Sequence, residues 1–300
     1  MVEVRFQESL DDLSQEMRAM MVKAPASHAF TSPGRLSVLA MSFWLGDAFE
    51  IDKSVQQNLA LANLHGLLHF IAQDNLSDKT WGEAERLALV VSSTLYLQRM
   101  FIGYQRYFPA ESIFWRYLEK YWKEWGESLI WERSTGFQSS FSDRDLLMAA
   151  RKAAPLKICS SGMALLGNRE HLIPELELAV DRMHMVLQMA DDLGDLEEDL
   201  AGNRYNTFLS MMAVNGSLMP SKAKSIDQIG HTIFRTVADG EFIQHMRQIS
   251  ETAHKDLDRL GLSQWGDLIS LIVKKTEKQI ELHLENIIPP DLNPVFELSK

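Results

Sequence analysis

Apolar residues recur along most of this chain at the three- and four-residue intervals of an amphipathic α-helix. No alternation of apolar and polar residues, which a half-buried strand would need, continues for even six residues. Glycine and proline are sparse and fall mainly between the periodic segments. The pattern predicts an all-α chain with helices over 36–47, 54–73, 82–106, 111–133, 143–166, 173–200, 205–214, 221–238, 241–260 and 264–286.

Residues that favour helix ends support these boundaries. Ser54, Ser142 and Ser263 precede amphipathic runs, where a serine side chain can accept a hydrogen bond from the first amides of the helix. No repeat and no shift in composition marks a linker. The sequence therefore predicts one domain over 1–300, packed as a bundle of about ten helices. Its ends are an N-terminal segment, 1–30, and an unstructured tail, 287–300.

Composition and charge narrow the class of protein. Hydrophobic residues make up 46% of the chain, which is enough for a sizeable core, and the net charge of −11 argues against nucleic acid as a partner. The N-terminus carries acidic residues where a secretory signal would be basic, and the most apolar stretch, 87–103, is too polar to span a membrane. The single cysteine, Cys159, fits a reducing compartment. We therefore expect a cytoplasmic protein without a membrane span.

The densest acidic segment, DDLGDLEED, carries a carboxylate at six of its nine positions. On a helix, Asp191, Asp195 and Asp199 would lie on one stripe, with Gln188 one turn earlier and Asp192 about 100° around the axis. Like charges four residues apart repel each other unless a cation compensates them. Mg²⁺ suits this role because it prefers carboxylate oxygens and commonly links them to a substrate phosphate. Taken alone, the segment is equally compatible with a solvated helix end.

A second acidic group ends the apolar segment before it in the same way. Asp74 and Asp78 are four residues apart, with Asn75 between them, although Asn and Asp are also common helix terminators. Both groups follow a long apolar helix. Two such helices facing each other would form carboxylate walls around a central cavity, which would be a site for an anion carried by several Mg²⁺ ions.

These two motifs resemble those of the class I isoprenoid synthases, the family of trans-prenyl diphosphate synthases and terpene synthases. LANLHGLLHFIAQDNLSD resembles the first aspartate-rich helix of the family, with Asp74, Asn75 and Asp78 at its DDxxD positions. LQMADDLGDLEEDLAGNRYNTFL resembles the second, including the glutamine, Gln188, that commonly precedes it. The first motif departs from the pattern because Asn75 replaces an aspartate. The resemblance covers most of the chain and implies the class I isoprenoid synthase fold.

The resemblance also implies a reaction and its metal ligands. Three Mg²⁺ ions, held by the two motifs, would bind the diphosphate of an allylic prenyl diphosphate, and loss of pyrophosphate would produce an allylic cation. Within this set, Asp74, Asp78, Asp191 and Asp195 are the expected catalytic residues. The metal ligands that the resemblance implies are Asp74, Asn75, Asp78, Asp191, Asp192, Asp195 and Asp199.

Basic residues near the motifs are the diphosphate ligands that the resemblance implies. ARKAAPLKICSSGMALLG is similar to the helix on which the family keeps a diphosphate-binding lysine, here Lys152, helped by Arg151 or Lys157. Arg204 and Tyr205 resemble the Arg–Tyr pair that contacts pyrophosphate in cyclases, although that pair normally lies further toward the C-terminus.

Three further residues complete the expected substrate site. Gln188 precedes the second motif, and Arg144 is a candidate pyrophosphate-sensing arginine, with a surface salt bridge as the alternative. Phe70, just upstream of Asp74, is a candidate floor of the prenyl pocket, as are Leu67 and Ile71. Such a pocket must exclude water because water would quench the cation.

The family's chain-elongating enzymes bind a second diphosphate with a basic GKRxRP segment and an arginine pair after the first motif. Here SPGRLSV retains only Arg35, and KTWGEAER, which begins with the distant Lys79, contains no arginine pair. A diphosphate carries about three negative charges, which one arginine compensates poorly. We therefore expect a terpene synthase, which cyclises or deprotonates the allylic cation.

Two alternatives stay open at this point. The chain could be a prenyl diphosphate synthase or another prenyltransferase with an unusual co-substrate site. It could instead be a non-catalytic partner subunit of a prenyl synthase, an interpretation that Asn75 favours and the intact second motif opposes. The family often forms dimers, so the resemblance suggests a homodimer.

Overall fold

A computed structural model of the chain describes residues 2–8, 10–11, 15, 33–78, 81–136, 141–214 and 240–287. All regular secondary structure within these ranges is helical, which confirms the predicted all-α class. Two short 3-10 helices, Arg151–Leu156 and Glu170–Leu172, interrupt the α-helices. The α-helices are α1 (Val2–Glu8), α2 (Pro33–Ala48), α3 (Lys53–Asp78), α4 (Glu83–Gln105), α5 (Phe114–Thr135), α6 (Asp143–Ala150), α7 (Lys157–Leu166), α8 (Ile173–Gly194), α9 (Leu196–Gly202), α10 (Thr207–Val214), α11 (Glu241–Arg259) and α12 (Ser263–Ile287).

For the predicted helices that the structure describes, the periodicity located the outer ends to within five residues. The helix predicted over 221–238 and all but the first residue of the predicted tail lie outside the described residues. Helix α1 was missed because its seven residues are too few to show a period.

Two predicted helices are each divided in the structure. The helix predicted over 143–166 is interrupted by the 3-10 turn of Arg151–Leu156, which contains Pro155. Proline has no N–H group and cannot continue the α-helical hydrogen-bond ladder. The helix predicted over 173–200 is interrupted at Asp195, where the backbone leaves the helical conformation (φ −103°, ψ 13°).

The chain divides into two compact units, so the predicted single domain stays a prediction. The first unit consists of 1–122, 155–180 and 260–265, and the second of 123–154, 181–259 and 266–300. The first acidic motif lies in the first unit and the second motif in the second. No helix among the described residues is both long and apolar enough to cross a membrane.

The first unit is organised around the packing of α3 against α2 and α4. Its core includes a cluster of six buried residues, and a chain of buried polar contacts joins the helices beside it. In that chain Asn63 donates to Ser42 Oγ over 2.8 Å, and Tyr104 donates to Asn63 Oδ1. Cys159, on α7, lies 3.3 Å from Ser42 Oγ. The six core residues are Phe6, Leu10, Leu39, Leu64, Leu68 and Tyr96.

Contacts to α8 and α10 organise the second unit. Arg182 on α8 forms an ion pair with Asp256 on α11, and Phe208 on α10 meets Phe242 on α11 edge to face at 5.0 Å. These contacts hold α8 and α10 against α11.

The close approach of α3 and α4 depends on the absence of a side chain at Gly103. A Cβ atom at this position would lie 2.7 Å from the Ala62 Cβ. We expect Gly103→Ala to lower the free energy of unfolding by about 1–3 kcal/mol, because overpacking outweighs the gain in helix propensity. Urea denaturation followed by circular dichroism measures this change.

Gly126, in the middle of α5, is the matched control. A Cβ atom there meets nothing within 4 Å. Gly126→Ala should therefore raise the free energy of unfolding by about 0.5–1 kcal/mol through helix propensity alone. Equal effects of the two substitutions would contradict the close packing of α3 and α4.

Candidate active site around the second acidic motif

Two carboxylates of the second motif line a cleft in the second unit. Asp191 and Asp195 are exposed, and the cleft has a volume of about 290 Å³. Its wall also includes Gly194 and, from α12, Gln279. Nothing in the sequence around Gln279 distinguishes it from the other polar residues of an amphipathic helix, so sequence reasoning missed it.

Asp192 points the other way, into the protein, and is 2% exposed. Gln188 Nε2 donates to its Oδ1 over 2.6 Å, and the backbone N–H of Thr207 donates to its Oδ2 over 2.7 Å. Burial raises the pKa of Asp192 to about 7, although these hydrogen bonds and the charge of Lys152 favour the ionised form. Both oxygens of Asp192 are therefore engaged inside the protein.

Asp199 is also buried and also has a partner on the segment that follows α9. Asn206 Nδ2 donates to Asp199 Oδ2 over 2.8 Å and to the backbone oxygen of Asp192 over 2.7 Å. Burial raises the pKa of Asp199, and the nearby charge of Asp195 raises it further. The hydrogen bond from Asn206 lowers it.

The predicted stripe of three aspartates is thus divided by the interruption at Asp195. Helical hydrogen bonds continue on both sides of it, from Asp195 N–H to Asp191 O (3.0 Å) and from Asp199 N–H to Asp195 O (2.9 Å). The three residues therefore occupy successive turns, as their spacing predicted. Asp191 and Asp195 are exposed, whereas Asp199 is buried.

Two of the predicted basic residues lie close to this motif. Lys152 Nζ donates to Glu132 Oε1 over 2.6 Å, and the positive charge of Lys152 lowers the pKa of Asp192, Asp195 and Asp199. For Asp195 this effect opposes burial, which raises the pKa. Lys152 therefore lies near the motif, and its predicted contact with the diphosphate stays a prediction.

Arg204 is the second of these basic residues. It lies 3.0 Å from Glu198 and lowers the pKa of Asp195 and Asp199. Asn203, which ends α9 with a positive φ of 50°, turns the chain immediately before it. Arg204 therefore lies beside the acidic motif, and its predicted contact with pyrophosphate stays a prediction.

Tyr205 is buried beneath the motif rather than exposed in the cleft. Its ring meets Trp131 edge to face at 4.8 Å, and it is 4% exposed. Burial raises the pKa of its phenol, and the charges of Asp192 and Asp145 add to this effect. Its predicted contact with pyrophosphate stays a prediction.

The remaining basic candidates occupy different surroundings. Arg151 follows α6, and its buried Nε has no hydrogen-bond partner among the described residues. Arg144 is exposed in the first turn of α6. Lys157 belongs to the first unit, where it is buried with its Nζ 5.9 Å from the ring centre of Tyr121.

The first acidic motif ends α3 in the first unit. Asp74 is exposed, and Asp78 is the last residue of the helix. Asn75 Nδ2 donates to the backbone oxygen of Ile71 over 2.9 Å, and the indole of Trp81 donates to the backbone oxygen of Asn75 over 2.7 Å. The side-chain amide of Asn75 is therefore hydrogen-bonded to the backbone of its own helix, near the C-terminal end.

Aromatic side chains gather one turn before Asp74. Phe70 meets Trp122 edge to face at 6.1 Å, and His69 stacks on the same indole at 6.0 Å. Phe101 also meets Trp122 edge to face, with the ring centres 6.1 Å apart. This cluster gives Phe70 apolar surroundings consistent with its predicted role in a prenyl pocket.

Magnesium fits the chemistry of the exposed carboxylates. Among the described residues, no three His, Cys, Asp or Glu side chains converge closely enough to hold a metal ion by themselves. Mg²⁺ commonly takes only one or two protein carboxylates and completes its shell with water and substrate phosphate. Asp191 and Asp195, exposed on successive turns at one cleft, match that requirement.

Comparison with solved structures identifies the fold. The chain is similar to a crystal structure of T. brucei farnesyl diphosphate synthase, with a TM-score of 0.56 and 12% identity over 92% of this chain and 96% of that one. The same enzyme complexed with a bisphosphonate gives a TM-score of 0.51 and 13% identity over 92% and 97%. No protein-family model and no curated protein sequence matches the chain. The fold is that of the class I isoprenoid synthases, as the motifs predicted.

The burial of Asp192 predicts how stability depends on pH in metal-free protein. Its pKa rises from 3.8 to about 7 on folding. Between these values the folded protein retains a proton that the unfolded chain has lost, so the contribution of Asp192 to stability falls as pH rises. In EDTA, we expect the melting temperature of wild type, relative to Asp192→Asn, to fall between about pH 4 and pH 7. If the melting temperatures of the two proteins changed in parallel with pH, this expectation would be contradicted, since all other carboxylates titrate in both proteins.

Proposed function

We propose that this chain, which has the class I isoprenoid synthase fold, is a Mg²⁺-dependent prenyltransferase that joins an allylic prenyl diphosphate to a second substrate. The observation that carries the proposal is the acidic cleft of Asp191 and Asp195, with Lys152 and Arg204 beside it, in a fold shared along nearly the whole chain with farnesyl diphosphate synthase. That likeness favours prenyl transfer over the cyclisation expected from the sequence.

In the proposed reaction, the carbon–oxygen bond of the allylic diphosphate breaks, and pyrophosphate leaves with the electron pair. The acceptor attacks the allylic carbon and then loses a proton. Asp191 and Asp195 would hold Mg²⁺, which when bound supplies positive charge to the diphosphate oxygens. Lys152 and Arg204 would stabilise the negative charge that grows on the leaving group, and interactions that strengthen as charge separates lower the barrier.

The first unit carries the other residues that the resemblance implies for such a reaction. They are Asp74, Asn75 and Asp78 as ligands of Mg²⁺, with three ions in all, and Phe70 with its aromatic neighbours as a wall of the prenyl pocket. Such a wall would exclude water, which would quench the allylic cation.

Terpene cyclisation is the second candidate, and one observation favours it. The N-terminal basic segment retains only Arg35, and no arginine pair follows the first motif. A second diphosphate would then lack the charge compensation that the chain-elongating enzymes provide. A co-substrate without a diphosphate group would reconcile this observation with prenyl transfer.

Product analysis distinguishes the two candidates. Purified protein is incubated with geranyl, farnesyl or geranylgeranyl diphosphate in Mg²⁺ or EDTA, with and without isopentenyl diphosphate. Longer diphosphates formed only with isopentenyl diphosphate establish chain elongation. A hydrocarbon or alcohol formed without a co-substrate establishes a terpene synthase. No Mg²⁺-dependent consumption of any substrate, with these or other prenyl acceptors, would contradict both and favour a partner subunit.

Substitution of the exposed aspartates tests the assignment of the cleft. We expect Asp191→Ala and Asp195→Ala each to lower Mg²⁺-dependent turnover by about 100-fold or more, because preorganised charge at the leaving group is lost. Release of pyrophosphate measures this change. Glu251→Ala, at an exposed position on α11 of the same unit, should leave turnover unchanged. Full activity in both aspartate variants would contradict the assignment.

A further inference from the structure

Asn206 links both buried aspartates of the motif to the beginning of α10. It is 0% exposed, and its Nδ2 donates to Asp199 Oδ2 and to the backbone oxygen of Asp192. Its Oδ1 accepts a hydrogen bond from the backbone N–H of Leu209 over 3.0 Å, which is the contact of a helix N-cap. One amide therefore caps α10 and joins two points on either side of the interruption at Asp195.

The beginning of α10 holds Asp192 by a second route. The backbone N–H of Thr207, the first residue of α10, donates to Asp192 Oδ2 over 2.7 Å. The free N–H groups and the positive end of the helix dipole stabilise a carboxylate at this position. Gln188 occupies the other oxygen of Asp192, so the side chain has a single defined orientation.

This arrangement fixes the two ends of the interrupted segment. Asp192 lies in the last turn of α8, Asp199 lies in α9, and Asp195 lies between the two helices. Without a contact across the interruption, α9 could change its angle to α8 at Asp195. The carboxylate of Asp195 would then move away from that of Asp191. Mg²⁺ demands nearly ideal octahedral geometry, so its affinity depends on the relative placement of these two carboxylates.

We propose that Asn206 is a positioning residue, which ties Asp192 and Asp199 to α10 as structural carboxylates and so presents Asp191 and Asp195 to Mg²⁺ and pyrophosphate. The inference rests on the proposed function and deepens it. Asp191 and Asp195 would contact the metal, whereas Asp192 and Asp199 would hold that pair in place.

Asn206→Ser is the variant that tests the proposal without removing the helix cap. Serine is as good an N-cap as asparagine. Its single O–H group can donate only one hydrogen bond, whereas the asparagine amide donates two. Ser210→Ala is the matched control, because Ser210 is also fully buried and donates to the backbone oxygen of Asn206 over 2.8 Å. That substitution removes a buried hydrogen bond at the same helix end and leaves both aspartate contacts in place.

Binding of inorganic pyrophosphate to the full-length protein in Mg²⁺, measured by calorimetry, gives a readout that does not require turnover. We expect Asn206→Ser to weaken this binding by about tenfold or more at low Mg²⁺, and a higher Mg²⁺ concentration to restore it in part, because the ligands are present but poorly placed. Circular dichroism should show an unchanged helical content. Ser210→Ala should bind within about twofold of wild type.

Wild-type affinity in Asn206→Ser would overturn the proposal, as would an equal loss in Ser210→Ala, which would indicate general destabilisation. Failure of wild type to bind pyrophosphate with Mg²⁺ is a different result. It would contradict the proposed function and, with it, the inference built on that function. The behaviour of the wild-type protein thus separates the two failures.

Discussion

The structure of the candidate site depends on how buried negative charge is compensated. Asp192 and Asp199 are largely removed from water, and an ionised carboxylate without partners would be costly there. Thr207 N–H, at the beginning of α10, and Asn206 Nδ2, one residue before it, supply such partners. The position of α10 after the turn at Asn203 is therefore coupled to the conformation of the whole acidic segment.

The fold was predictable because helical periodicity survives in a single sequence wherever a helix has one buried face. Where the prediction of one continuous helix was wrong, at 151–156, the sequence contained the signal, since Pro155 cannot continue an α-helical ladder. The interruption at Asp195 had only a weak signal in the preceding glycine, Gly194. It is held instead by tertiary contacts from Asn206, which no local pattern encodes.

The spacing of the aspartates could be predicted from the sequence, but the burial of each one could not. Four-residue spacing grouped Asp191, Asp195 and Asp199, and the structure retains their successive turns. Spacing treats these positions as equivalent, whereas burial separates Asp199 from the exposed pair. The same limit applies to function, because the missing basic residues indicated a cyclase while the fold is shared with a prenyl diphosphate synthase.

The basic residues beside the motif compensate its charge only in part, because each also has an acidic partner. Lys152 forms an ion pair with Glu132, and Arg204 forms one with Glu198. The side chains of Asp191 and Asp195 give the cleft an acidic lining. A bare diphosphate would meet repulsion there, whereas the same diphosphate complexed with divalent cations would meet attraction. In the proposed reaction, metal ions would therefore form part of the substrate-binding site, and Lys152 and Arg204 would stabilise the charge on the departing pyrophosphate.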